Sequence, residues 1–194
     1  MAKKRNVEKI EFNKQKTEKK VALSVKVINF LIFIAVCIVL GYAFTVFFFQ
    51  TVRVVGSSME KTLSNNDISI IDKISYKFTD IKQNDIVAIK SNEDNYYSIK
   101  RVVGVPGDTI QIIGGKLIVN GERYKYEDVF SESIVYAGQA ESAVTLGKKQ
   151  YFVIGDNVKN SIDSRYSNVG NIQETDIKGR VILRIHDDNI SSVK

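Results

Sequence analysis

Val27 to Phe49 is a run of 23 residues without a single charge, VINFLIFIAVCIVLGYAFTVFFF. As a helix rising 1.5 Å per residue it spans roughly 34 Å, enough to cross a hydrocarbon core of roughly 30 Å. Asn29 and Thr45 lie near its ends, where polar groups are tolerated. A removable secretory leader is the competing reading, and Gly41-Tyr42-Ala43 offers a small-x-small cleavage site. The apolar run continues through Phe47, Phe48 and Phe49, however, which is too long and too bulky for a leader's apolar segment and cleavage boundary. The expectation is a retained anchor over 27–49, a basic tail over 1–26 and one folded domain over 50–194.

Charge is unevenly distributed. The chain of 194 residues carries a formal net charge of +6, and residues 1–26 with nine Lys/Arg and three Glu account for all of it. Lys14, Lys16, Lys19, Lys20 and Lys26 beside the apolar run follow the positive-inside pattern, which puts the tail in the cytoplasm and the domain outside. Residues 1–20, short of apolar side chains, are expected to be mobile or at most weakly helical. A neutral main domain argues against nucleic acid as a partner. Cys37 is the only cysteine and lies inside the apolar run. The domain therefore has no disulfide framework and no Cys/His metal site, and nothing in it calls for a cofactor.

The domain reads as mainly β. Short Val/Ile/Tyr runs recur between turn signals at Ile68–Ile71, Asp85–Ile89, Tyr97–Val103, Thr109–Ile113, Tyr151–Ile154 and Gly179–Ile185. Gly114-Gly115 and Asn120-Gly121 mark hairpin turns on either side of Lys116–Val119. Residues 123–148 carry no clear period and are expected to be a loop or excursion.

Two segments suggest chemistry. Ser58 lies in Gly56-Ser57-Ser58-Met59-Glu60-Lys61-Thr62-Leu63, nine residues past the apolar run. Lys100 lies in Lys100-Arg101-Val102-Val103-Gly104-Val105-Pro106-Gly107-Asp108. A serine hydroxyl is a weak nucleophile until a base takes its proton. The only histidine, His186, is near the C-terminus, and lysine can be that base only if its pKa falls. Burial lowers a lysine pKa by up to roughly 3–5 units. Strand alternation puts Lys100 and Val102 on one face and Ile99 and Arg101 on the other. Taken singly, Lys100 reads as a solvent-facing strand residue and Ser58 as a turn serine. A third segment, Gly155-Asp156-Asn157-Val158-Lys159-Asn160-Ser161-Ile162-Asp163-Ser164-Arg165, taken singly reads as a polar surface turn.

Together, in this order and after one anchor, these segments resemble the boxes of bacterial type I signal peptidases over residues 27–190. The nucleophile box matches at Ser58-Met59-Glu60-Lys61-Thr62-Leu63, with Lys61 where the family has proline. The lysine box matches at Lys100 to Asp108, the third box at Gly155 to Arg165, and an Asp-Ile-Val strand at Asp85-Ile86-Val87. The resemblance implies a mostly β catalytic domain in the single-anchor Gram-positive form. It implies Ser58 as nucleophile, Lys100 as general base and Ser161 as the residue that hydrogen-bonds and orients the lysine. The Ser58 backbone N–H would serve the oxyanion hole. Asp163 and Arg165 would form an ion pair near the site, with Arg101 as a third member, and Gly56 and Met59 would support the nucleophile. The implied activity is removal of signal peptides from preproteins after small residues, Ala-x-Ala, at a membrane-lipid surface. A signal-peptidase-like accessory protein for pilin or surface-protein assembly is the alternative. A self-cleaving repressor-type Ser–Lys protease is disfavoured by the anchor and by the lack of a DNA-binding helix pair. Proline in place of Lys61 would stiffen the turn, changing stability by about 1 kcal/mol or less where φ already fits.

Overall fold

The computed structural model describes residues 2–90, 97–187 and 189–193, with backbone alone for residues 2–23. The chain divides into two compact units, 1–47 and 48–194. The first is helix α1, Ala2–Phe48. Its stretch Ser24–Phe48 is long and apolar enough to cross a membrane, by length and composition. The tail expected to be at most weakly helical is helical in the structure. Its Lys, Glu and Gln are good helix formers, and no Gly or Pro occurs before Gly41. The lysines at 14, 16, 19 and 20 lie outside the described side chains. The helix stops one residue short of the expected boundary. Phe49 opens strand β1, Phe49–Arg53, and pairs with Asp72 of β2, Ile68–Asp72.

Among its described residues the second unit is mainly β, in two sheets. The larger also contains β3 (Ile86–Lys90), β4 (Tyr97–Gly104), β9 (Gln150–Ile154), β10 (Ile172–Gln173), β11 (Ile177–His186) and β12 (Asn189–Ser192). Its order is β1-β2-β11-β3-β4-β9-β10, with β12 paired to β11. The smaller sheet has the order β7-β6-β5-β8, from β5 (Thr109–Ile113), β6 (Lys116–Val119), β7 (Glu122–Arg123) and β8 (Val144–Thr145). All six sequence-predicted strands are present, as is the β5–β6 hairpin. Gly114 and Gly115 have φ of 56° and 78°, and Asn120 and Gly121 have 55° and 81°. Both turns therefore carry the two left-handed residues that a tight hairpin requires.

Among the described residues three apolar clusters form the interior. One joins the smaller sheet to β9 through Ile110, Leu117, Phe152 and Ile154. Another packs Ile99, Ala88 and Val181 against Met59 and Leu63. The third holds Val87, Val102 and Val153. Of the β4 residues, Ile99 and Val102 lie in different clusters. The excursion 123–148 is more than a loop. Its Tyr124, Phe130, Ile134, Ala140 and Leu146 are buried in the first cluster. Single anchors separated by short 3-10 turns have neither the strand nor the helix period, so pattern alone does not reveal them.

Gly179 sits at an irregularity where β11 crosses between β2 and β3. A β-carbon there would lie 2.2 Å from the Asp72 carbonyl oxygen. Backbone cannot yield as a side-chain tip can, so Gly179→Ala is expected to destabilise the domain by roughly 1–3 kcal/mol. Urea unfolding of the variant beside the parent measures it.

Candidate active site

β1 delivers the chain into a loop, Val54 to Asp67, closed at its base by Val54 N–H to the Asp67 carbonyl and Asn66 N–H to the Val54 carbonyl. Within it the Thr62 and Leu63 amides donate to the Met59 carbonyl, and the Met59 and Leu63 side chains are buried. Gly56 has φ of 91° and donates its N–H to Asn65 Oδ1 at 2.9 Å. This anchored turn carries Ser58. Its carbonyl accepts the Asn157 N–H at 3.0 Å, tying the nucleophile loop to the third box.

β4 brings Lys100 to the same place from the other side. Lys100 stands opposite Val87 in the β3–β4 register. It is only 5% exposed, and its Nζ lies 2.8 Å from Ser58 Oγ. A protonated Lys100 donates to that hydroxyl, and a neutral one can accept from it. Burial is the main cause that pushes the Lys100 pKa down to about 8; Asp163 and Asp156 oppose the shift, and Arg165 assists it. A cleft of about 660 Å³ opens onto the pair between β1 and β4, lined by Val52, Val54, Val55, Met59 and Ile99 among others. Tyr97 Oη donates to Gln50 Oε1 at 3.4 Å across its strands.

Two buried arginine–carboxylate pairs frame the lysine. Arg165 donates from Nε to Asp163 Oδ1 at 2.8 Å and from Nη2 to Oδ2 at 2.9 Å. The same Nη2 reaches the Val158 and Ser161 carbonyls, and Asp163 Oδ2 also accepts the Gly155 N–H. Arg101 belongs to a different pair, which corrects its expected place beside Asp163. It donates from Nε to Asp156 Oδ1 at 2.8 Å and from Nη2 to Oδ2 at 2.7 Å, and it meets Asn84 Oδ1 at 2.7 Å through Nη1. Thr62 Oγ1 donates to Asp156 as well. Sequence reasoning did not single out Asp156 or Thr62, although both stand inside the quoted boxes. Their roles depend on a cross-chain meeting that no local pattern signals.

Ser161 departs from its expected contact. It is 2% exposed, but its Oγ has no hydrogen-bond partner among the described residues. It is pressed instead against Gly155, where a β-carbon would lie 2.3 Å from Ser161 Oγ and 2.5 Å from the Ser58 carbonyl oxygen. The lysine's hydrogen bond runs to Ser58. Asp85 and Asp108 have structural partners. Asp85 accepts from Tyr76 Oη at 3.0 Å and pairs with Arg180, while Asp108 accepts from Gln83, Asn120 and the Val105 amide. His186 pairs through Nδ1 with Asp67 Oδ1 at 2.6 Å, and that carboxylate raises its pKa.

Lys61 has φ of 97°. Proline's ring holds φ near −65°, so the condition for a mild Lys61→Pro replacement is not met and the turn would have to rebuild. The Lys61 ammonium donates to the Phe130 carbonyl at 2.9 Å and to the Asp128 carbonyl.

The lysine's depressed pKa has a thermodynamic consequence. Between about 8 and 10.5 the unfolded chain binds a proton at Lys100 that the folded chain has released. Stability therefore rises with pH through that window, and below it the folded state carries a charge burial cost of roughly 3 kcal/mol. Lys100→Met is expected to raise stability at pH 7 by about 1–3 kcal/mol and to abolish the Lys100 contribution to that rise. Denaturant titrations from pH 7 to 10.5 compare the two proteins.

A family model described as signal peptidase, peptidase S26, matches residues 25–186. Signal peptidase I P of Bacillus subtilis subsp. natto is 32% identical over 175 residues, covering 87% of this chain and 91% of the relative. A probable signal peptidase I-2 of Synechocystis is 33% identical, covering 76% of this chain and 67% of the relative. A crystal structure of a signal peptidase I from Enterococcus faecalis has 25% identity and a TM-score of 0.43, covering 53% of this chain and 97% of that one. By the family match and the sequence relatives, this single-pass membrane protein belongs to the S26 family of signal peptidases, in its bacterial, single-anchor form.

Proposed function

We propose that the protein is a signal peptidase acting through a Ser58–Lys100 dyad, cutting exported preproteins after small residues of the Ala-x-Ala kind. The observation that carries this reading is the 2.8 Å separation of Lys100 Nζ and Ser58 Oγ, with the amine buried. A binding-only accessory protein has no need of a lysine held at that distance and desolvated at a cost in stability.

The steps follow from that geometry. Neutral Lys100 takes the hydroxyl proton as Ser58 Oγ adds to the scissile carbonyl carbon. The negative charge moves to the carbonyl oxygen, where the Ser58 backbone N–H can donate to it. The Lys100 ammonium then protonates the leaving amine, releasing the mature protein and an acyl-serine. Neutral again, Lys100 deprotonates a water that attacks the ester carbon; the C–Oγ bond breaks, Ser58 Oγ takes the proton back from Lys100, and the signal peptide leaves with a free carboxyl group. Burial serves both halves of this cycle, because a pKa of about 8 lets one amine both accept and return the proton near neutrality.

The substrate reaches the cleft from the membrane. Ser58 is nine residues beyond Phe49, at most roughly 32 Å of extended chain. With the basic tail in the cytoplasm, the domain works on the outer face, beside preproteins whose signal helices still occupy the bilayer.

Ser58→Ala and Lys100→Ala are each expected to abolish preprotein cleavage in a folded domain, because nucleophile and base act as one unit. Substantial cleavage by the Lys100 variant contradicts the dyad. In the parent, kcat/KM should rise with pH through a midpoint near 8, where Lys100 loses its proton, and His186→Ala should leave that limb in place. Loss of the limb in the histidine variant assigns the base to His186. For orientation, protease added outside intact cells should digest residues 50–194 and spare the tail. Protection of the domain reverses the topology.

A further inference from the structure

Lys61 lies three residues beyond the nucleophile and lines no part of the Ser58 cleft. It borders a separate hollow of about 440 Å³, with Lys116, Arg123, Glu127 and Glu132. Its backbone is held at φ of 97°, in a region that side-chain-bearing residues seldom occupy. Its ammonium, on an otherwise exposed side chain, ends on the carbonyls of Asp128 and Phe130. Those acceptors are firmly mounted. The Phe130 ring is buried in the core of the smaller sheet and stacks on Tyr124, with centroids 6.1 Å apart. The next residue, Ser131, donates its N–H to the Asp156 carbonyl at 2.8 Å. Asp156 in turn holds Arg101 and Thr62.

We propose that Lys61 is a positioning residue for the reaction: its ammonium braces the Ser58 turn against the Asp128–Phe130 segment and so helps hold Ser58 Oγ at the lysine. The proposal rests on the signal-peptidase reading. The other ties of this turn run to the larger sheet and to the third box. The Leu63 and Met59 side chains pack with Ile99, the Thr62 carbonyl accepts from Arg184 at 2.7 Å, and the Ser58 carbonyl accepts from Asn157. Lys61 adds a link to the excursion, whose Phe130 ring is buried with the smaller sheet. The brace lies outside the cleft, so its loss should disturb the alignment of the reacting atoms and leave substrate binding alone.

Two variants of the full chain in detergent micelles test this. Lys61→Met removes the donor and keeps the stem. Lys61→Gly removes the donor and also relieves the backbone strain, which offsets part of the stability lost with the contact. Both are expected to lower kcat about tenfold with KM within about twofold, since small misplacements of reacting groups are costly. The rising pH limb should keep its midpoint. Hydrogen exchange at the Thr62 and Leu63 amides, which bond to the Met59 carbonyl, should quicken in both. Parental kcat in both variants, or a loss confined to KM, overturns the proposal; the latter makes Lys61 a substrate contact. If the parent itself cuts no preprotein, the signal-peptidase reading fails, and the exchange measurement alone decides the brace: faster exchange upholds it and unchanged exchange removes it.

Discussion

A lysine amine kept out of water is the constraint around which this domain is arranged. An ammonium at a site 5% exposed is unfavourable unless it finds partners or loses its proton. Here the surroundings are balanced between those outcomes. Asp163 and Asp156 favour the charge, while burial and Arg165 disfavour it, and burial prevails. Both carboxylates are engaged by bidentate arginines, so neither is left to form a close ion pair with Lys100 that would hold its proton. The two Arg–Asp pairs thus do more than crosslink loops. Arg165 partly offsets the two carboxylates at Lys100, whose hydrogen bond is left for Ser58. Loss of one partner would strand a buried charge, a change that costs about 3–5 kcal/mol in such pairs.

The same pairs assemble the three boxes into one site. Asp156 takes Arg101 from β4, Thr62 from the nucleophile loop and, through its carbonyl, Ser131 from the excursion. Gly155 allows the third box to approach the Ser58 carbonyl closely, where any side chain would intrude. The segment 124–146 connects the smaller sheet's interior to this assembly, and Lys61 reaches it from the nucleophile turn. The contacts that join the boxes are thus also contacts of the fold.

Much of this was readable in the chain. Strands β2 to β6 follow from Val/Ile runs between turn signals. The Asn120-Gly121 and Gly114-Gly115 pairs marked their turns because left-handed backbone favours those residues. Ser58 and Lys100 came from the order of the boxes, and the structure brings them within hydrogen-bond distance. What was not readable depends on tertiary meeting. Arg101 and Asp156 are 55 residues apart, and the box order associated Arg101 with Asp163 instead. The start of β1 was hidden because Phe49 continues an apolar run into a strand. Lys61 showed only as a departure from a family pattern; its left-handed backbone and its reach to Phe130 are properties of the folded loop.

The proposed dyad depends on Lys100 titrating near neutrality because it is buried beside Ser58. An NMR titration of the Lys100 Cε methylene, assigned by comparison with Lys100→Met, reads this directly in the resting enzyme. A Lys100 pKa of about 8, well separated from the exposed lysines, is the expected result. A Lys100 that titrates with those lysines near 10.4 would be a charged spectator at neutral pH, and the Ser–Lys mechanism would fail with it.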